Sequence, residues 1–141
     1  MDSYFTVFLF FGAAFCISGF SATAHSFCGT CECSRTVVNC SGRNIDHLPT
    51  HNIKGIQGLD LSFNNISNFP EHFFRGFLSL QMLNMSYNRI QSIHPNTFAS
   101  LRNLTHLELA NTSLTAEILE ISVFGALKDT KIETLILAGL D

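Results

Sequence analysis

The sequence predicts an α/β horseshoe, a solenoid of stacked coils in which each coil adds one short strand to a parallel sheet on the concave side. Three observations lead to this fold class. A phrase of eleven residues recurs three times at intervals of 24 in the 141-residue chain. Four cysteines lie within thirteen residues shortly before the first copy. A charge-free apolar stretch precedes those cysteines, near the start of the chain.

The repeat consists of the segments IQGLDLSFNNI (56–66), LQMLNMSYNRI (80–90) and LTHLELANTSL (104–114). In each segment inner apolar residues such as Leu59 and Leu61 alternate with outward-facing ones, which predicts a short strand with one buried face. Phe74 and Phe98 occupy the same position of two successive coils, and we expect them to fill a convex side made mostly of loops and turns. All three copies fit the leucine-rich-repeat pattern L-x-x-L-x-L-x-x-N-x-L.

Asparagine stands at the ninth position of the first two coils, as Asn64 and Asn88. The chain leaves the strand at this position, and a buried amide there needs hydrogen-bond partners. Because an amide both donates and accepts, these side chains can bond backbone groups within and between coils, as an asparagine ladder. Thr112 replaces asparagine in the third coil, so we expect a weaker ladder there.

The fourth coil is irregular, since IETLILAGLD begins at Ile132, 28 residues after Leu104. Phe124 and Leu127 are expected to line its convex side. The repeats therefore occupy residues 56–141, as three repeats of 24–28 residues and an incomplete fourth. A solenoid needs both ends capped, and no second cysteine cluster precedes Asp141. We therefore expect a fragment or a truncated form of a longer protein.

The N-terminus predicts a secretory signal peptide over residues 1–24. The run from Tyr4 to Phe20 carries no charge and is followed by Ala22 and Ala24, which form an A-x-A cleavage site. The alternative is a signal anchor, but the run of 17 residues is at the lower limit for crossing a bilayer. Cleavage after Ala24 removes Cys16 and leaves an even number of cysteines.

The four remaining cysteines, spaced C-x2-C-x-C-x6-C, predict disulfides in a cysteine-rich cap over residues 25–55. A zinc site is disfavoured because no second C-x2-C pair exists and the compartment is oxidising. A thioredoxin-type redox site needs a β-α-β context that the sequence lacks. The cap would cover the apolar edge of the first coil, and four cysteines allow three pairings.

The cysteine cluster and the repeats resemble extracellular leucine-rich-repeat proteins with an N-terminal cysteine cap. The irregular stretch VFGALKDTKIETLILAGLD is most similar to the N-terminal part of a Toll-like receptor ectodomain. The resemblance implies the disulfides Cys28–Cys33 and Cys31–Cys40. It also implies a non-enzymatic, ligand-binding segment of an innate immune pattern-recognition receptor. The alternative is a secreted matrix or cell-surface leucine-rich-repeat protein of the proteoglycan or adhesion type.

Partners and location follow from the same resemblance. A protein or microbial ligand would be bound mainly by the remainder of the ectodomain, and a receptor dimer is a candidate assembly. The expected location is the secretory pathway, with an extracellular or endosomal domain. The parent protein would be a single-pass type I membrane protein, attached to the membrane only through a segment beyond this chain.

Composition argues against other function classes. No Ser/His/Asp arrangement, phosphate loop or carboxylate pair stands out, so we expect no enzyme activity, cofactor or metal. The eight lysines and arginines are scattered along a chain of net charge −3, which argues against a nucleic-acid patch.

Sequons predict N-glycans at four positions, namely Asn65, Asn84, Asn103 and Asn111. A fifth sequon, Asn39, directly precedes a disulfide cysteine and is the least suited to modification. Asn84 is at the fifth position of its coil, so its side chain is expected to point out of the concave sheet. A glycan there would obstruct the surface that a simple horseshoe uses for binding.

Overall fold

A computed structural model of the chain describes residues 29–46 and 54–139. The predicted leader and its cleavage site lie outside these residues. The strands of the main sheet are β1 (Glu32–Cys33), β2 (Val37–Asn39), β3 (Gly58–Asp60), β5 (Met82–Asn84), β7 (His106–Glu108) and β8 (Thr134–Ile136). A smaller sheet on the opposite side pairs β4 (Asn68–Phe69) with β6 (Ser92–Ile93).

The main sheet has the strand order β1-β2-β3-β5-β7-β8, so each coil adds one strand beside the previous one. All neighbours are parallel except β1, which runs antiparallel to β2. The inner leucines are in register, with Leu59 opposite Leu83 and Leu83 opposite Leu107. The predicted horseshoe, with short parallel strands at the repeat positions, is confirmed.

The core lies between the two sheets and is filled by the residues that the repeat predicts. Leu59, Leu83 and Leu107 are each no more than 2% exposed. Phe74 and Phe98 are fully buried and stack on each other with ring centroids 5.9 Å apart. The expectation that these phenylalanines fill the convex side is confirmed, and removal of such large apolar surfaces from water is the main stabilising term in a fold of this kind.

Asn88 connects two coils through its side chain. Its Nδ2 donates to the carbonyl oxygens of Leu61, in the preceding coil, at 2.8 Å and of Met85, in its own coil, at 3.0 Å. Its Oδ1 accepts from the Ile66 amide at 3.0 Å. The side chain therefore satisfies backbone groups of both coils in an interior that water does not reach.

Asn64 repeats this arrangement one coil earlier, against the cap. Its Nδ2 donates to the carbonyl oxygen of Cys40 at 2.8 Å, and its Oδ1 accepts from the amides of Arg43 and Ile45. In the third coil the Thr112 hydroxyl donates to Leu109 of its own coil at 3.1 Å. Within the part of the chain that the structure describes, the Thr112 side chain makes no hydrogen bond to the preceding coil.

The cap closes the N-terminal edge of the first coil. Cys31 and Cys40 form a disulfide, and both are at most 1% exposed. Val38 pairs with Leu59, so the segment before the first coil occupies a half-repeat. Cys33 is also disulfide-bonded, but its predicted partner, Cys28, lies outside the described residues. The disulfides hold together a segment too small to form a core of its own.

The fourth coil corrects one prediction, because Phe124 is 47% exposed and does not line the convex side. This coil carries a helical segment composed of α1 (Ala116–Ile118), a π-helical stretch (Leu119–Phe124) and α2 (Gly125–Leu127). In this helical segment Leu119, Val123 and Leu127 face the core at intervals of four residues. Val123, not Phe124, therefore occupies the buried position, whereas Leu127 is buried as predicted.

The C-terminal edge of the described sheet is less well covered than its interior. Leu135 and Leu137 of the last coil are half-buried, and Ile136 is 40% exposed. The Thr115 hydroxyl accepts from the Ile118 amide at 3.4 Å and begins the helical segment of this coil. Among the described residues, no helix has the length and apolar character needed to cross a membrane.

Asn88→Leu should lower the free energy of unfolding by about 1–3 kcal/mol, because it leaves buried backbone groups of two coils without partners. Arg89→Leu, at the adjacent exposed position, is the control for added hydrophobicity. Urea unfolding of the two variants and the wild type measures the difference. An Asn88→Leu protein as stable as the wild type would contradict the role given to this amide.

Candidate functional site

The outward face of the main sheet is acidic. By strand register, Glu32, Asn39, Asp60, Asn84, Glu108 and Ile136 form one row across the six strands. Three of these six residues are carboxylates, and the described strands of this sheet contain no lysine or arginine. A partner of opposite charge would therefore be attracted to this face, and one of like charge repelled.

The centre of this row is organised by local hydrogen bonds. The Asn84 Oδ1 accepts from the backbone amide of Ser86 at 3.0 Å. Asp60 makes the same bond to Ser62 at 2.9 Å in the coil before. Among the described residues, the Asn84 Nδ2 has no hydrogen-bond partner. This nitrogen is the atom that would carry a glycan, and it belongs to a half-buried side chain on the concave face.

An apolar spot lies at the beginning of the strands. A side chain at Gly58 would place its Cβ 3.1 Å from Val37 Cγ2 and 3.4 Å from Met82 Cε. The absence of a side chain at Gly58 thus lets Val37 and Met82 approach each other over it. These two side chains remain 37% and 48% exposed, respectively, and give the acidic sheet an apolar margin.

A pair of aromatic residues forms the opposite margin, where the chain leaves the strands. The rings of Phe63 and Tyr87 stack with centroids 4.3 Å apart and an interplanar angle of 8°. Both are well exposed, at 57% and 48% of their surfaces. Both also have left-handed backbone conformations, with φ of 54° and 56°.

This left-handed conformation recurs at the same position of every described coil. Gly42, Asn111 and Gly139 share it, with φ between 50° and 65°, and form one column with the aromatic pair. The amide of each of the first four residues donates to the next coil, as from Gly42 to Ser62 at 3.0 Å. Glycine and asparagine adopt this conformation at little cost, whereas a bulky residue is strained by roughly 1–3 kcal/mol. The aromatic pair is therefore an exception within its column.

The sequence did not single out this pair, although both residues lie at the eighth position of their coils. Its period of 24 contained the signal, because it places Phe63 beside Tyr87. Their mutual stacking contributes about 0.5–1.5 kcal/mol beyond the area that they bury. That gain offsets the backbone strain of one residue at most.

The remaining sequons lie off the centre of the sheet. Asn65, Asn103 and Asn111 are all exposed. The Asn103 Nδ2 donates to the Leu78 carbonyl oxygen at 3.0 Å, and its Oδ1 accepts from the Lys131 ammonium at 3.3 Å. The side chain of Asn111 lies against Gly139, where a Cβ would collide with it. Glycan occupancy at these positions remains a prediction.

One cluster of titratable groups lies on the connecting segments, away from the sheet. The Asn96 amide donates to Glu71 at 2.9 Å and lowers the pKa of that carboxyl, and His72 and His94 lower it further. His72 Nε2 lies 3.2 Å from the carboxylate. No group of three or more His, Cys, Asp or Glu residues able to hold a metal occurs in the described ranges. The cluster is a solvated surface feature.

Comparison with known proteins identifies the family. Residues 42–114 match the family model described as leucine rich repeat. The chain belongs to the leucine-rich-repeat family. This agrees with the in-register coils, the asparagine ladder and the disulfide-bonded cap described above.

Several relatives share about a third of their residues with this chain. Amphoterin-induced protein 2 of Mus musculus is 32% identical over 91 residues, which cover 63% of this chain and 18% of the relative. Tsukushi of Gallus gallus is 34% identical over 101 residues, with 70% and 27% covered. Leucine-rich repeat-containing protein 3 of Danio rerio is 31% identical over 90 residues, with 60% and 34% covered. The chain thus spans about a third or less of the relatives' lengths.

A solved structure shares the fold. The crystal structure of human trophoblast glycoprotein, also named Wnt-activated inhibitory factor 1, superposes with a TM-score of 0.67. Its sequence identity is 22%, and the match covers 89% of this chain and 43% of that one. This likeness shows the fold alone.

These relatives are secreted or cell-surface leucine-rich-repeat proteins. They do not support the expected resemblance to Toll-like receptors in particular, and they favour the adhesion or matrix alternative. The irregular length of the fourth coil had suggested the Toll-like receptors. In the structure the extra residues of that coil form a helical segment, and a helical convex side does not distinguish one branch of the family from another.

Phe63→Asn should change the free energy of unfolding by less than about 1 kcal/mol, because asparagine tolerates the left-handed backbone and the lost stacking is small. Phe74→Ala, which removes a fully buried ring, should cost about 3–5 kcal/mol. Thermal and urea unfolding of both variants provides the comparison. Equal losses of stability would mean that Phe63 is a core residue and not a surface feature.

Proposed function

We propose that this chain is an extracellular, non-enzymatic protein-binding segment of a cell-surface or secreted leucine-rich-repeat protein of the adhesion or matrix type. The observation that carries this proposal is the outward face of the parallel sheet. It presents acidic, apolar and aromatic side chains on rigid strands and does not pack against any other described part of the chain. Exposed apolar side chains grouped within a polar surface are typical of protein interaction sites.

The predicted glycan at Asn84 divides this surface. Asn84 lies in the middle strand of the described coils, and a glycan there would cover the acidic centre. Two margins then remain for contact, one at Met82 and one at the aromatic pair. A partner would meet the edges of the sheet, while the cap and the core act as a scaffold.

The proposal includes further coils beyond this chain. Leu135 and Leu137 are half-buried at the described edge, whereas their counterparts in the inner coils are fully buried. The relatives are also much longer than the chain. A following coil would bury these leucines, as β7 buries those of β5.

The full protein then distinguishes the two branches of the proposal. A downstream span of about 20 apolar residues would make it a cell-surface adhesion protein. A C-terminal cysteine cap without such a span would make it a matrix protein. Sequencing the transcript beyond the codon for Asp141 separates them.

Expression of the full chain in mammalian cells tests the proposed location and the glycan. The expected product is secreted, begins at His25, and carries a glycan at Asn84 that intact-glycopeptide mass spectrometry detects. The matched variant is Asn84→Asp, which keeps the oxygen that accepts from Ser86, as Asp60 does for Ser62. It should be secreted equally well and lack one glycan.

Two results would contradict the proposal in different ways. A chain retained in the cytosol with its leader intact would exclude an extracellular role. A secreted chain with Asn84 unmodified would keep the extracellular role and return the centre of the sheet to the binding surface.

A further inference from the structure

We propose that Phe63 and Tyr87 bind a basic segment of a protein partner, with the guanidinium group of an arginine stacked on the free face of Phe63 above Gly42. This inference rests on the proposed binding function and names the site and the chemistry of its partner. Four observations support it, namely the strain of the pair, the open space beside it, the charge of the sheet and the position of the nearest cation.

The first observation is that neither the fold nor burial explains the aromatic pair. Other coils fill the same left-handed position with Gly42, Asn111 or Gly139, which the backbone accepts more readily. Phe63 and Tyr87 are among the most exposed large apolar side chains described. Residues that violate a local structural preference without gaining burial mark sites of function.

The second observation is an open position beside Phe63. One face of its ring is covered by Tyr87, and the other is directed toward the cap. The cap residue in that column is Gly42, and a Cβ built there meets nothing within 4 Å. Successive coils are about 4.8 Å apart, close to the 4.3 Å that separates the two rings. A planar group can therefore continue the stack above Gly42.

The third observation is the charge of the neighbouring sheet, which determines which planar group fits. Its outward row contains Glu32, Asp60 and Glu108 and is free of lysine and arginine over the described strands. A guanidinium is both planar and positively charged, and it binds the face of an aromatic ring. A lysine ammonium has the charge without the plane. A second copy of this chain would bring one acidic face against another.

The fourth observation concerns Arg43, the cation next to this open position in the sequence. Its guanidinium bonds Glu32 at 2.6 Å, on the far side of the cap. It is therefore held by a carboxylate of the cap and is not stacked on Phe63. The open position is left to an external group.

Tyrosine fluorescence offers a direct test, because the chain has two tyrosines, Tyr4 and Tyr87, and no tryptophan. Once the leader is removed, Tyr87 reports alone. The secreted chain is titrated with hexa-arginine and, as a control of equal charge, hexa-lysine, at about 150 mM salt to screen non-specific attraction. We expect saturable binding of hexa-arginine, at least tenfold tighter than that of hexa-lysine.

Three variants define the site. Phe63→Asn should weaken hexa-arginine binding at least tenfold, because the ring is lost while the backbone conformation is kept. Gly42→Phe should do the same by filling the open position with a ring of the chain itself. Phe124→Asn removes another exposed phenylalanine, on the helical segment of the fourth coil, and should leave binding unchanged. Circular dichroism confirms that each variant is folded.

Several results would overturn this inference. They are equal affinity for the two peptides, unchanged binding by Phe63→Asn or by Gly42→Phe, and saturable binding of chitotriose in place of hexa-arginine. A dimer that disappears in Phe63→Asn, seen by sedimentation, would assign the pair to self-association instead. The titrations are repeated on enzymatically deglycosylated protein, so that a glycan near the pair does not hide the site.

The outcome is separable from that of the proposed function. If the chain is not secreted, protein refolded from intracellular expression still decides whether arginine binds at Phe63. If the chain is secreted and glycosylated but does not bind arginine, the extracellular role stands and only this inference fails.

Discussion

The buried amide of Asn88 bonds backbone groups of two successive coils, and Asn64 does the same between the first coil and the cap. These bonds fix the turn by which the chain leaves each strand. With the turn fixed, the strands stay in register, and the leucines of one coil cover those of the next. Each coil depends on its neighbours, because a single coil has too little apolar surface to fold alone. The cap supplies the first neighbour, and its disulfides replace a missing core.

The same turn also determines the surface. Because each chain exit needs one left-handed residue, the fold creates a column of equivalent positions along the edge of the sheet. Glycine and asparagine are sufficient for that geometry. Phe63 and Tyr87 use two adjacent positions of the column to expose a stacked pair. The acidic row beside them follows from the outward positions of the strands. The proposed binding surface is thus a by-product of coil stacking that the sequence has modified at a few places.

The period of 24 residues was sufficient to predict most of the fold. It identified the inner leucines, the ladder amides of Asn64 and Asn88, and the buried ring of Phe74, since each is set by its place in the repeat. It failed at Phe124, where the extra residues of the fourth coil form a helical segment and burial follows the period of a helix. It also missed the stack of Phe63 on Tyr87, because contact between side chains depends on backbone conformation as well as on spacing. The resemblance to Toll-like receptors rested on the length of that same irregular coil, which does not separate the branches of the family.

Native-state hydrogen exchange tests most directly whether stability passes from coil to coil. The amides of Leu61 and Met85 donate to the next coil at 2.8 and 2.9 Å in the interior of the sheet, and the Leu109 amide donates at 2.9 Å to the half-covered last strand. If neighbouring coils provide the stability, Leu61 and Met85 should exchange at least about tenfold more slowly than Leu109, despite equal bond lengths. Exchange at Leu109 as slow as at Leu61 would contradict this account.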